Sequence, residues 1–328
     1  MPVPLSATFM ELAIPLKARV FELIDLLKST AHENLALHRW GLRILCTAGI
    51  LYICRKIYSK AISNHCNSEK GNWSHEVVLI TGGCSGIGER IARKFEERRV
   101  KVVVLDIMPP KTAMSPYIHF YKCDITSPEE IHRTAQLIRE DVGYPTILIN
   151  NAGVGTAKDM LDETDEEIKR TFHVNNLAHF WILREYLPHI IQMNHGHIVT
   201  VASMASFLTI ASNISYSCTK AAALSLHEGL TQELRHRYMA EKVRTSIIHP
   251  TWVRTPLIGK QVESGQWKSR TIEADSVADA VVSHILRWES GQLFLPATYS
   301  VVSLLRSFPS WLQESVRNSQ SEVLRVDN

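Results

Sequence analysis

The stretch Glu76–Arg90, EVVLITGGCSGIGER, constrains this 328-residue chain more than any other. Val77, Val78, Leu79 and Ile80 form a short unbroken apolar run, the pattern of a strand buried on both faces of a parallel sheet. Thr81 and Gly82 end the run. Gly82, Gly86 and Gly88 then fall at TGxxxGxG spacing, and Ile87, Ile91, Ala92 and Phe95 recur with a helical period. Strand, glycine turn and helix in that order make a phosphate site. Glycines let backbone approach a pyrophosphate, and the free N–H groups of the helix start point at its charge. Thr81, Gly82, Ser85, Gly86, Ile87 and Gly88 are the candidate contacts.

The next strand pattern, Lys101–Leu105, ends at Asp106. An acidic residue roughly 20 residues past the glycines accepts hydrogen bonds from an adenosine ribose. It also repels a 2′-phosphate, which favours NAD over NADP. Ile107, Met108 and two prolines follow, so no basic residue stands beside Asp106 to hold that phosphate.

Short apolar runs alternate with helical patterns beyond this point. Strands are predicted at 77–81, 101–106, 117–122, 146–150, 197–202, 243–248 and near 292–295, and helices at 86–98, 128–141, 165–193, 214–239 and 275–289. Strict alternation predicts an α/β fold, a Rossmann-type doubly wound parallel sheet with helices on both faces. Ligands then sit at the carboxyl ends of the strands. Asp124, after the third strand, either contacts an adenine or caps the helix starting near Ser127. Asn150-Asn151-Ala152-Gly153 ends the fourth strand, where the small residues let backbone pass beside a cofactor.

Residues 1–70 stand apart as an extension and linker. Leu12, Leu16, Val20, Ile24 and Leu27 give an amphipathic period. The uncharged run Ile44–Cys54 has 11 residues, against about 20 for a bilayer span. Extending it to 40–58 requires Arg43, Arg55 and Lys56 to snorkel. The segment reads as a membrane anchor or interfacial helix, with a helix packed on the domain as the other reading. Net charge is only +3 with signs interleaved, which excludes a nucleic-acid face. The six cysteines, among them Cys218, form no CxxC pair, so a reducing compartment and no metal site are expected, with Cys218 explained by packing.

Taken together, Thr81–Gly88, Asp106, Asp124, the NNAG run at 150–153, Asn175, Ser203 and Tyr216-Ser-Cys-Thr-Lys220 closely resemble the short-chain dehydrogenases/reductases, over roughly Glu76–Pro296. The resemblance implies hydride transfer with a nicotinamide cofactor, NAD here with NADP possible. Tyr216 and Lys220, four apart on a helix, share a face. A free tyrosine has a pKa of about 10; a nearby ammonium favours the phenolate, which makes Tyr216 a usable base. The family also gives Lys220 the nicotinamide ribose hydroxyls. Ser203 would stabilise charge on the substrate oxygen, with Ser206 a rival that family spacing disfavours. Asn175 takes the family's fourth role, holding a water in a proton relay; Asn176 is a one-residue alternative.

His249-Pro250-Thr251 resembles the family's proline-led loop over the nicotinamide, with Thr251 where glycine is usual. Pro250, Val253 and Thr255 are then cofactor contacts, and Thr255 is also a possible N-cap before Pro256. A substrate lid at about 256–272, the apolar segment between Ser203 and Tyr216, Leu161 and Trp252 suggest a lipophilic pocket. Residues 297–328 read as an amphipathic tail. The N-terminal segment, Asp106 and apolar tail are similar to the membrane-associated retinol and 17β-hydroxysteroid dehydrogenase branch. That implies a lipophilic alcohol substrate, a membrane surface, and a cytosol-facing site at the endoplasmic reticulum or lipid droplet. Family precedent also implies a homodimer or homotetramer through the two long helices. Other readings are an NADPH-dependent ketoreductase of secondary metabolism and a catalytically silent nucleotide-binding or lipid-associated protein.

Overall fold

A computed structural model describes residues 72–325 except 264–266 and 268, together with Thr47, Gly49 and Ile50. The amphipathic stretch 9–28, the apolar segment 40–58 apart from those three residues, and most of the linker lie outside the described residues, as do Cys46, Cys54 and Cys66. Everything below concerns the unit Ser63–Asn328.

Seven parallel strands form the sheet: β1 (Val77–Thr81), β2 (Lys101–Asp106), β3 (Ile118–Lys122), β4 (Ile147–Asn150), β5 (His197–Val201), β6 (Arg244–Pro250) and β9 (Gly291–Leu295). Their spatial order is β3-β2-β1-β4-β5-β6-β9. Connections run outward in opposite directions from β1 and β4, so a crevice opens between the carboxyl ends of these two strands. The two-residue strands β7 (Val253–Arg254) and β8 (Ile272–Glu273) pair beside that edge.

Alternation along each strand sorts side chains to opposite faces. Val78, Ile80, Val102, Val104, Ile149 and Val199 pack with helices α1 (Gly86–Glu96) and α6 (Ala274–Leu286) through Ile91, Phe95, Val281 and Ile285. Leu79, Val103, Leu105, Leu148 and Ile198 pack with α2 (Pro128–Asp141), α4 (Ala178–Met193) and α5 (Ile214–His236) through Ile138, Ile182 and Leu230. Nearly all of these are fully buried, each contributing about 1.5–3 kcal/mol. The continuous apolar strands follow from this cover on both faces.

The long helix expected over 165–193 is continuous in extent but changes pitch inside. Helix α3 (Asp165–Phe172), capped by a reciprocal Thr164–Glu167 box, runs into a π-turn at His173–Leu177 before α4 begins. The wider turn carries Asn175, which is fully buried. The tail is not one amphipathic helix. It is a 3₁₀ segment, Ala297–Ser307, followed by α7 (Ser310–Asn318). Among the described residues no helix is long and apolar enough to cross a membrane.

Candidate active site

The glycine turn is dictated by contact as much as by conformation. A Cβ on Gly88 would meet the Gly82 carbonyl oxygen at 2.3 Å and Asn151 Nδ2 at 2.5 Å. Gly82, at φ +66°, lies against the Ala152 Cα, which a Cβ would approach to 2.9 Å. Ser85 stands at the N-cap of α1 but makes no side-chain cap bond. Ser127 and Thr164, by contrast, cap their own helices. The first N–H groups of α1 are therefore left for another acceptor.

Thr81 and Asn151 clasp the loops after β1 and β4. Thr81 Oγ1 accepts from the N–H of Asn151 at 3.0 Å and of Ala152 at 3.1 Å. Asn151 Nδ2 donates to the Thr81 and Gly82 carbonyls at 3.0 and 3.1 Å. Asp106 accepts from the N–H of Cys84 and of Met108, each at 3.0 Å, so its carboxylate is held at the end of β2.

A groove of about 450 Å³ runs over these elements. Gly82, Ser85, Gly86, Ile87, Asp106, Asp124, Asn151, Ala152, Gly153, Tyr216, Lys220 and Thr255 line it. Thr81 and Gly88 sit beneath it as clasp and close contact, and Pro250 and Val253 line the neighbouring cavity instead. Asp124 does not cap the helix: Ser127 accepts from Glu130 N, and Asp124 Oδ1 instead takes the Thr126 N–H and hydroxyl at 2.9 and 2.8 Å. Arg170, Val174 and Leu257 also border the groove. No motif marks them, because the crossovers rather than local sequence bring them there. Glycines that a Cβ would obstruct, an uncapped helix start and an acidic strand end together suit a dinucleotide.

Lys220 is buried on α5, and its Nζ donates to the Val201 carbonyl at 2.9 Å while standing 5.4 Å from the centre of the Tyr216 ring. Burial lowers its pKa to about 8. Burial raises Tyr216 to about 12, and the hydrogen bond with Ser203 opposes that rise. In the protein alone, burial thus moves Tyr216 upward, opposite to the lowering expected from a neighbouring ammonium. Asn175 Nδ2 donates to the Val154 carbonyl at 2.8 Å and to Thr219 Oγ1 at 3.1 Å. Asn175 Oδ1 and Lys220 Nζ both lie 3.6 Å from where a Gly153 Cβ would stand, so they border one space. Ser206, the rival of Ser203, is fully buried and donates to the Lys220 carbonyl.

His249, which the sequence marks only as the start of the proline-led loop, has a place of its own in the site. Its Nδ1 lies 3.2 Å from the Ser203 carbonyl, and its ring stacks 5.1 Å from Phe294. Burial lowers its pKa to about 4, so the ring is neutral and Nδ1 carries the donated proton.

A second cavity, of about 290 Å³, meets the groove at Tyr216. Ser203, Met204, Leu208, Ile210, Trp252 and Ile258 line it. Leu161, expected there, is 96% exposed and absent from the lining. Cys218, expected to be packed, is exposed. Among the described residues no acidic, histidine and cysteine cluster could hold a metal.

The short chain dehydrogenase family model matches residues 76–266. The chain belongs to the short-chain dehydrogenases. Dehydrogenase RED2 of Cochliobolus heterostrophus is 40% identical over 211 residues, covering 64% of this chain and 79% of that protein. Human 17-beta-hydroxysteroid dehydrogenase 13 is 36% identical over 256 residues, covering 76% of this chain and 84% of its own. The structure of Thermoplasma acidophilum aldohexose dehydrogenase aligns at TM-score 0.59 and 23% identity, over 67% of this chain and 92% of that one. A 3-ketoacyl-(acyl-carrier-protein) reductase from Brucella melitensis, complexed with NADH, aligns at 0.59 and 23%, over 67% and 96%. These two share the fold. Family membership makes this short-chain dehydrogenase an NAD(P)-dependent alcohol oxidoreductase.

Proposed function

We propose that the protein interconverts a lipophilic, steroid-like alcohol and its carbonyl with NAD(H), using Tyr216, Lys220, Ser203 and Asn175. One observation carries this reading: Tyr216 lines both the groove over the glycine turn and the second cavity, which suits a residue acting between cofactor and substrate. The mostly apolar cavity wall and the 17-beta-hydroxysteroid relatives support the substrate class.

The bound nicotinamide supplies the hydride acceptor or donor. Gly82, Ser85, Gly86, Ile87 and Asp106 would hold the adenosine and pyrophosphate side, and Asn151 to Gly153, Lys220 and Thr255 the other. Asp106 favours NAD because a 2′-phosphate would meet its carboxylate. Ser203 donates to the substrate oxygen and stabilises charge there. Tyr216 takes or returns the hydroxyl proton. Because burial disfavours its phenolate, Tyr216 needs positive charge beside it, which Lys220 supplies while protonated. Asn175 fixes the loop after β4 and, with Lys220, borders the space over Gly153 where a water would link them to solvent.

A cytosol-facing site at an endoplasmic reticulum or lipid-droplet surface belongs to the same reading. The exposed Val301, Leu304, Phe308 and Trp311 of the tail support it. The groove between α4 and α5, with Phe180 exposed, supports a homodimer or homotetramer.

The test is turnover of purified protein on retinoid, steroid and long-chain alcohols and their carbonyls with each cofactor. NAD-dependent oxidation of steroids, lost by at least about 100-fold in Tyr216→Phe with cofactor binding retained, is the expected result. Reduction with NADPH alone would replace this reading with a biosynthetic ketoreductase.

A further inference from the structure

Glu163 stands just before Thr164, the N-cap of α3, and its side chain reaches two other segments. One carboxylate oxygen, Oε1, accepts from Thr156 Oγ1 and from Ser215 Oγ, each at 2.6 Å. Both distances lie in the range of about 2.5–2.7 Å for a hydroxyl donating to a charged oxygen, a bond roughly twice as strong as a neutral one. Thr156 belongs to the loop after β4. Ser215 is buried in the first turn of α5 and directly precedes Tyr216. Glu163 thus joins three segments at a single atom. It also sets a negative charge beside the positive end of a 23-residue helix, whose N-cap Asn213 makes no side-chain cap bond.

The same loop touches the Tyr216 ring. A Cβ on Gly155, next to Thr156, would stand 3.2 Å from Tyr216 Cδ2. Other bonds fix where the loop and Glu163 stand. Asn175 holds Val154, Ser212 Oγ donates to Asp159 Oδ1, and Lys158 Nζ donates to both Glu167 oxygens at 2.7 and 2.9 Å. The Thr164–Glu167 box secures the chain on the other side of Glu163. Helix ends fray, and Tyr216 lies in the first turn of α5. A group that moves a proton must hold its reacting atom to well within about 1 Å.

We propose that Glu163 is a positioning residue for Tyr216: through Ser215 it pins the first turn of α5 to the loop after β4 and so fixes where the Tyr216 hydroxyl stands. Glu163 lines neither the groove nor the second cavity, so its effect on turnover passes through the residues it holds. This rests on the functional reading above, in which Tyr216 moves the proton, and the experiment separates the two.

The test is steady-state oxidation of 17β-estradiol by the full-length protein with NAD, at a temperature below the Tm of every variant. Glu163→Ala lowers kcat about tenfold, since misplacing a reacting group by about 1 Å costs up to about 100-fold. KM for NAD stays within about twofold, as expected when ground-state binding is untouched. Glu163→Gln, whose amide oxygen still accepts from both hydroxyls, recovers most of the loss. Ser215→Ala lowers kcat in the same direction, and it carries the test if Glu163→Ala does not fold. The Glu163→Ala, Ser215→Ala pair falls no further than Glu163→Ala alone, because both changes remove one bond. Additive losses in the pair overturn the link through Ser215. Unchanged kcat in Glu163→Ala, or a loss that Glu163→Gln does not recover, overturns the positioning role. The functional reading survives either result, since Tyr216→Phe still loses turnover. A wild-type protein that binds NADH yet does not oxidise estradiol overturns both.

Discussion

Asn175 grips Val154 by both of its backbone polar atoms: Oδ1 accepts from the Val154 N–H and Nδ2 donates to the Val154 carbonyl, each at 2.8 Å. Asn175 thus behaves as a substitute strand partner for the loop that leaves β4. An aspartate can accept from Val154 but cannot donate to it, and would set a carboxylate oxygen against a carbonyl. Asn175→Asp should lower Tm by several degrees and kcat by about 100-fold. Thermal melts and steady-state kinetics check this, and full activity would leave Asn175 with no role beyond the loop.

Asp106 faces two backbone N–H groups and borders the groove. Asp106→Ala removes the charge that would repel a 2′-phosphate. The ratio of kcat/KM for NAD to that for NADP should fall about tenfold or more, equivalent to about 1.4 kcal/mol. An unchanged ratio would reduce Asp106 to a loop anchor.

Gly88→Ala places a methyl group 2.3 Å from a backbone oxygen that Asn151 also binds. Neither neighbour is the free end of a flexible chain. The expected result is a Tm lower by about 5 °C or more and weakened NADH binding. Gly143→Ala, with nothing within 4 Å of its Cβ but φ at +112°, serves as a comparison that strains backbone alone.

Acid should unfold this protein early. Burial holds His227, His249 and His284 at about 4, and His197 well below its usual value. An unfolded histidine takes up its proton near pH 6.5. Between about 6.5 and 4 the unfolded chain therefore binds protons that the native chain refuses, so stability falls as pH falls through that window. Each group depressed to about 4 accounts for roughly 3 kcal/mol, and two of them rival the whole net stability of a typical domain. Melting temperature measured from pH 7 to 4.5 should drop steeply below about 6; a flat profile would show that these rings reach solvent.

The parts of this fold that were legible in the sequence are those set by neighbours along the chain. The strand at 77–81, the helix start at Gly86 and the four-residue spacing of Tyr216 and Lys220 are local, and each falls where its pattern indicates. What escaped notice depends on distant segments meeting. The π-turn at Asn175 stands inside an unbroken helical period, and only packing against α5 distinguishes it. Leu161 is apolar yet exposed, so hydrophobicity misplaced it. Ser127 and Asp124 are both good capping residues three apart, and which one caps was decided by the backbone path out of β3. The tail's position against the cavity has no signature at all within residues 297–325.

The clasp between Thr81 and Asn151 also limits how the protein can breathe. Four hydrogen bonds cross-link the loops after β1 and β4, and no side chain there can turn without breaking two of them. The floor of the groove is one plate. Across from it stand Thr255 to Leu257, and Leu257, 42% exposed, borders both cavities. The groove and the second cavity thus share Leu257 as a common border, so a change of side chain there reaches both spaces at once.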